Sequence, residues 1–408
     1  MDPTYRWAHT DEGIELRAKI ITALLKGDNS WPKLLEGFQG VSDVSNGLDL
    51  RGIDLSGLKL HGVVLDKVHL ERAKLSGADL SGANLKYTCL READLSGANL
   101  EKADLTGADA QHASFRDAKL AAARVKGVRF GASDLTNADL SAANAAGADF
   151  RGAALQNAKF NDVNADFANF SYVNADKLEF LRTSCKKSNW FKAKLRSIQF
   201  DSALLNEADF SFAVLEDASL AGVDVTRGKF KESKLTNAVL KNIVANNASF
   251  NASVLSGANF EGAKLNDASF NNAYAHSPAS FKGVEAKRAF LLNVDLSACD
   301  LSDSKFDGAF FCEATLVDCK LQNAILASAN FHKANFRGAN LDNAVLDAAS
   351  LALASFSGAR LRHASLKQCK LSPNILYGAD LDGAILPASA RDFIDIVSIS
   401  GEPKFADE

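Results

Sequence analysis

Ala78-Asp79-Leu80-Ser81-Gly82-Ala83-Asn84-Leu85 sets the pattern for the whole chain. Leu80 and Leu85 lie five residues apart. Each has Ala two positions before it and Asp or Asn immediately before it. Counting outward by fives, an apolar centre recurs without a miss from Leu50 to Ala275 and again from Phe281 to Leu386. The two series hold 46 and 22 centres, and Leu or Phe fills 57 of these 68, too many for chance. Neither a helix (period 3.6) nor a flat strand (period 2) repeats every five residues. A strict short repeat means one structural unit copied along an axis, which is a solenoid.

The position two before the centre is apolar or small, as at Ala78, Ala83, Ala93, Ala98 and Ala103. The other three positions carry Asp, Asn, Lys, Ser, Gly and Arg. Two inward and three outward residues per five leave no room for a helical turn. The chain therefore has to turn every five residues and satisfy its backbone from coil to coil, at the ~4.8 Å spacing of ordinary strands.

Large centres show how many pentads close one coil. Phe130, Phe150, Phe170, Trp190, Phe210, Phe230, Phe250 and Phe270 are spaced by twenty. Phe160, Phe180, Phe200 and Phe260 fall ten residues off that series, and Val125, Ala145, Ala165, Cys185, Val225 and Ala245 mark a small-residue series. Period twenty means four faces, with Phe on two opposite ones and smaller residues between them, filling a narrow interior at high density. The 68 pentads then predict 17 coils.

These runs, with Ala334-Asn335-Phe336-Arg337-Gly338-Ala339-Asn340-Leu341, resemble the A(D/N)LXX signature of the pentapeptide-repeat proteins. The resemblance implies an all-β solenoid, a right-handed quadrilateral β-helix. It also implies a non-catalytic, protein-binding role. The most concrete precedent in the family is a DNA-mimicking modulator of bacterial DNA gyrase or topoisomerase IV that protects against fluoroquinolones.

The expected organisation is a helical cap over residues 1–45, the repeat over 46–387 and a C-terminal cap or dimerisation segment over 388–408. Thr10-Asp11-Glu12 reads as a helix start. Ile14, Ile20, Ile21, Leu24 and Leu25 form its expected apolar face, and Gly27-Asp28-Asn29 stops it. Ser30-Trp31-Pro32 opens a second short helix with Leu34, Leu35 and Phe38. At the other end Phe393, Ile394, Ile396, Val397 and Ile399 are too apolar for a free tail. They add a strand to the last coil, cover it or pair two molecules, and the family resemblance supports the last, since members directed at gyrase dimerise through the C-terminus.

The net charge of −4 and pI near 6.0 exert no strong pull on nucleic acid or anionic membrane. The expected partner is a protein, with gyrase or topoisomerase as one option, and direct nucleic-acid binding is not expected. No segment reads as a signal peptide or membrane span, which fits a bacterial cytoplasmic protein or one exported without a signal peptide. The six cysteines read as reduced core thiols, although Cys299 and Cys319, one coil apart, fall within disulfide range. No catalytic motif and no cofactor site is found. The seven histidines show no HExxH and no spacing of metal ligands.

Two regions depart from the consensus. Residues 177–196 carry seven basic residues against Glu179 alone. Arg182, Lys186, Lys187, Lys192 and Arg196, with outward-facing Phe191 and Leu181, are candidate contacts for an acidic partner. Opposing that reading, residues 201–226 carry six acids and no Lys or Arg, and lie one coil away, within a Debye length of about 8–10 Å. The second region is His276-Ser277-Pro278-Ala279-Ser280, where one extra residue breaks the clock. It reads as a bulged corner, either a tolerated insertion or a device that docks a partner or bends the rod.

Overall fold

In the computed structural model, which describes residues 5–36, 48–394 and 398–406, each pentad is one bridge and one turn. The pentad at Leu80 shows how all five N–H groups are satisfied. Leu80 N donates to Asn99 O at 2.7 Å and Gly82 N to Glu101 O at 2.8 Å, both on the following coil. Ala83 N donates back across the turn to Leu80 O at 3.0 Å, and Asn84 N reaches Val63 O on the preceding coil at 2.8 Å. The fifth, Ser81 N, has no backbone partner and donates to Asp79 Oδ1 at 3.1 Å. Asp or Asn before the centre is thus a structural requirement, because its side chain caps the turn that follows. The second residue after each centre lies in the left-handed region, as at Gly77 (φ 64°) and Gly82 (φ 65°), which is why Gly and Asn recur there.

The chain divides into two units, Met1–Leu204 and Leu205–Glu408. In the first, parallel bridges join residues twenty apart, from Asp49↔His69 to Ser184↔Leu204. The Phe series stacks face to face inside it: Phe130 on Phe150 at 5.1 Å, Phe150 on Phe170 at 4.9 Å and Phe170 on Trp190 at 4.1 Å between ring centroids. The series ten residues off meets it edge-on, as Phe160 does Phe170 at 72°. Where Ser or Thr replaces the small Ala, its hydroxyl finds a backbone carbonyl: Thr88, Ser133 and Ser188 donate to the centre three residues back, as Ser133 Oγ does to Phe130 O at 2.7 Å, and Thr183 Oγ1 donates to Phe160 O on the preceding coil at 2.6 Å.

Before this ladder come α1 (Tyr5–His9), α2 (Asp11–Leu25) and a 3-10 helix (Trp31–Leu35). Thr10 caps α2, its Oγ1 accepting from Gly13 N at 3.0 Å. The buried stripe of α2 is Gly13, Leu16, Ile20, Ala23 and Leu24. This corrects the expected face, because Ile14 and Leu25 are half exposed. Small Gly13 and Ala23 let the helix lie close, and they moved the stripe away from the larger residues. Phe38 lies outside the described residues. In later coils the carbonyl after each centre accepts from the coil before, as Ser76 O does from Gly57 N. On the first described coil that place is taken by a side chain, Trp7 Nε1 donating to Arg51 O at 2.8 Å, and the carbonyl before the next centre, Asp54 O, accepts from Arg17 Nη2 at 2.8 Å where its counterpart Lys74 O accepts from Leu55 N.

In the second unit the bridges run from Asp209↔Lys229 to Asp380↔Ser400. The offset is twenty up to Val254↔Tyr274, becomes twenty-one from Asn259↔Ser280 to Tyr274↔Asp295, and returns to twenty at Ser280↔Asp300. The extra residue is held in one corner, where His276 N donates to Ser256 Oγ at 2.9 Å and Gly257 N to Ser277 O at 3.2 Å. A second irregular corner, the 3-10 turn Pro373–Ile375, was not foreseen. The last rung pairs β1 (Ile385–Leu386) in parallel with β2 (Lys404–Phe405). All six cysteines are free thiols. Cys319 Sγ donates to Leu296 O and Cys299 Sγ accepts from Ala279 N, so neither is turned toward the other as a disulfide partner.

Candidate interaction surface

Repetition puts residues twenty apart into columns on the outside of each unit. One column of the first unit reads Asp49, His69, Cys89, Asp109, Arg129, Asp149, Asn169 and Asn189. Another reads Asn84, Asp104, Arg124, Asn144, Asn164 and Ser184. In the second unit Asp209, Lys229, Ser249 and Ser269 give way to Phe290 and Phe310. Charges of both signs alternate down these columns and pair between coils, as in Arg129 with Asp109 at 3.2 Å and Lys229 with Asp209 at 3.6 Å. Such exposed pairs each contribute only ~0–1 kcal/mol, but they leave no continuous acidic stripe in the columns quoted.

Columns also sort the basic belt. Arg182 donates twice to Asp162, both at 2.7 Å, and Arg196 lies 3.6 Å from Asp176. Their acids come from the preceding coil, not from residues 201–226. These contacts raise the Arg182 guanidinium and lower the Asp162 carboxyl, in each case chiefly through the hydrogen bonds between them. Lys186 is exposed, and its backbone N donates to Asp166 Oδ1 at 2.9 Å. Leu181 is half-buried.

Lys187, Phe191 and Lys192 are arranged differently. They border the face that carries Asn169 and Asn189, with Phe167 at one corner and Tyr172 at the other. Phe167 is 63% and Tyr172 54% exposed, so two large rings stand in water. Lys187 Nζ sits 5.9 Å from the centre of the Phe167 ring, Lys192 Nζ 5.9 Å from Tyr172 and 5.3 Å from Phe191. Phe191 meets Tyr172 edge-on at 5.8 Å. Lys187 with Phe167 and Lys192 with Tyr172 are one-coil pairs, so the repeat itself delivers each ammonium to a ring, and Phe191 is the sequence neighbour of Lys192. Phe167 and Tyr172 were missed in the sequence because they precede the basic run. Reading columns of twenty upward from Lys187 and Lys192 finds both.

A model of tandem pentapeptide repeats matches stretches of the chain from residues 49–86 through 349–386. The chain belongs to the pentapeptide-repeat family. Among solved pentapeptide-repeat structures, HetL, involved in heterocyst differentiation regulation in the cyanobacterium Nostoc sp. strain PCC 7120, is 28% identical over 53% of this chain and 88% of that one, with a TM-score of 0.25. QnrB1, a plasmid-mediated fluoroquinolone resistance protein, is 16% identical over 55% of this chain and 92% of that one, with a TM-score of 0.29. A thylakoid-lumen member from Arabidopsis thaliana is 30% identical over 24% of this chain and 65% of that one, with a TM-score of 0.20. No curated protein matches the chain. Family membership rests on the repeat model.

At the C-terminal end Ile394 is buried, Phe393 and Ile399 are half-buried, and Ile396 and Val397 lie outside the described residues. Arg391 stacks on the Phe405 ring at 5.1 Å. No described helix is long and apolar enough to cross a membrane.

Proposed function

We propose that this pentapeptide-repeat protein is a non-catalytic scaffold that binds an acidic protein partner on the face bordered by Phe167, Tyr172, Lys187, Phe191 and Lys192. The exposed Phe167 and Tyr172 rings under lysine ammonium groups carry this reading. Protein interfaces concentrate binding energy in aromatic side chains, with complementary charge setting partner choice. Arg182 and Arg196, engaged with their own acids, hold the surface and contribute less. On the same reading, residues 1–45 cap a right-handed β-helix of about 17 coils over 46–387, and 388–408 close its other end.

The alternative, implied by the family resemblance, is DNA mimicry toward gyrase or topoisomerase IV. It requires a continuous acidic surface, because phosphate charge dominates DNA affinity, and the columns of both units carry mixed sign.

The test is partner recovery from the source organism by cross-linking at exposed Lys186, beside the proposed face, with Asn157 as control position. Phe167→Ala with Tyr172→Ala, and Lys187→Glu with Lys192→Glu, are each expected to reduce recovery at least tenfold, while Arg182→Gln retains it. Equal recovery by all variants refutes the surface. Inhibition of gyrase supercoiling, or its protection from a fluoroquinolone, at micromolar protein favours the alternative.

A further inference from the structure

His69 and Cys89 are one coil apart in parallel register, and Glu71 follows His69 by two residues on the same face. His69 Nδ1 stands 3.1 Å from Glu71 Oε1. One ligand atom from each of His69, Glu71 and Cys89 lies within 4.8 Å of the others, and all three residues are half-buried. Glu71 Oε2 is shielded from water and has no hydrogen-bond partner. A carboxylate oxygen in that condition costs free energy unless something positive meets it. The flanking guanidinium groups direct their hydrogen bonds elsewhere: Arg51 to Asp49 at 3.0 and 2.8 Å, and Arg91 to Asp109 at 2.6 Å.

We propose that His69, Glu71 and Cys89 form a three-ligand site for a borderline-soft divalent cation, zinc by preference, with a fourth position open to water. Imidazole, thiolate and carboxylate are the donors zinc takes, at ~2.0–2.3 Å. Tetrahedral ligands at those lengths stand roughly 3.3–3.7 Å apart, so the cluster closes round an ion by side-chain shifts of about an ångström. One carboxylate beside sulfur and nitrogen does not suit calcium or magnesium, which take oxygen shells. On binding, the S–H bond breaks, a sulfur–metal bond forms and one proton leaves to solvent per ion. The ion then links two successive coils beside Arg51, the residue whose carbonyl holds Trp7.

The experiment uses the untagged full chain, reduced and metal-stripped, titrated with Co²⁺ as a spectroscopic stand-in for zinc. One equivalent is expected to give a near-ultraviolet thiolate-to-cobalt charge-transfer band that Zn²⁺ abolishes. Cys89→Ser removes the band and Cys312→Ser leaves it. His69→Gln and Glu71→Gln weaken Co²⁺ binding by more than the ~10–100-fold that a mere supporting residue costs. Should Cys89→Ser fail to fold, the unmodified chain still decides: Zn²⁺ is expected to slow alkylation of Cys89 at least tenfold, read by mass spectrometry. No band at millimolar Co²⁺, a band that survives Cys89→Ser, affinity unmoved by His69→Gln and Glu71→Gln, or unchanged alkylation of Cys89 overturns the proposal.

Discussion

Replacing Phe170 with Ala probes the interior most sharply. The ring is fully buried and lies between Phe150 at 4.9 Å and Trp190 at 4.1 Å, nearly parallel to both. Phe160 and Phe180 touch it edge-on at 5.9 and 5.7 Å. A buried Phe→Ala change costs ~3–5 kcal/mol, and the spread reflects how well the site collapses. Here collapse is resisted. Phe170 N is bonded to Asn189 O at 2.6 Å and Asn169 N to Ala148 O at 2.9 Å, so the rungs above and below hold the coil at its spacing. Lost stacking removes a further ~0.5–1.5 kcal/mol per aromatic pair. The expected cost is therefore at the top of the range, about 4–5 kcal/mol.

A single unfolding free energy is a poor readout in a repeat, where each coil contacts only its neighbours and opening is local. Amide hydrogen exchange followed by mass spectrometry is the appropriate assay. With ~1.4 kcal/mol per factor of ten, amides at 150–190 are expected to exchange roughly a thousandfold faster in Phe170→Ala. Those at 330–350 should be unchanged. Phe170→Leu, which places at this centre the residue found at most others, should cost only about 1–1.5 kcal/mol. Acceleration below tenfold, or equal acceleration in both stretches, would refute stacked cores with local cooperativity.

Two other outcomes follow from the geometry. Asp79 is held below the ordinary value of 3.8, first by the Ser81 hydroxyl (2.7 Å) and then by the Ser81 amide. In Asp104, Asp134 and Asp224 burial opposes the same arrangement, but the Thr hydroxyl and amide at the second residue on outweigh it. Since the folded-state values are lowered, their stabilisation is complete above about pH 4 and is lost as pH falls through those values, so circular dichroism should show acid unfolding only below that point. Stability that stays flat down to pH 2 would sink this account, and Asp79→Asn, which keeps the acceptor, should be milder than Asp79→Ala. At the slip, deleting Ser277 resets the offset from twenty-one to twenty and loses one 3.2 Å bond from Gly257 N. A fall in Tm of no more than ~2–4 °C is expected from a loss near 1 kcal/mol in a unit of this size, and a larger fall would mean that the flanking coils need the bulge.

The repeat was legible because its requirements are local. Each pentad needs a centre that fills the interior, a small residue before it, and an Asp or Asn whose side chain caps the next turn. None of these depends on a distant residue. The Phe spacing of twenty adds the single long-range fact, the number of faces, and the bridges carry that offset. The N-terminal helix was harder. Its buried stripe includes Gly13 and Ala23, and hydrophobicity alone points to Ile14 and Leu25, which face water. The basic belt looked like a ring because twenty residues circle all four faces. Only the columns show that Arg182 and Arg196 answer Asp162 and Asp176, while Lys187 and Lys192 answer aromatic rings.

The same geometry explains why familiar motif spacings find nothing in this chain. HExxH brings two ligands together because four residues make about one helical turn. In a four-sided solenoid the turn that returns to the same face takes twenty residues, and neighbours across a centre are two apart. Ligands that meet are then spaced i, i+2 and i+20, as His69, Glu71 and Cys89 are, and a ring meets a cation at i and i+20, as Phe167 meets Lys187. From Asn259↔Ser280 to Tyr274↔Asp295 the rule shifts to twenty-one, so Arg288 finds Asp267 at 2.7 Å and Asn293 finds Asn272 at 2.9 Å. A binding constellation on this fold is a short vertical word, one letter per coil. Searching columns, with the offset corrected across 276–280, is the physically grounded way to read chemistry from a sequence whose horizontal pattern is consumed by folding.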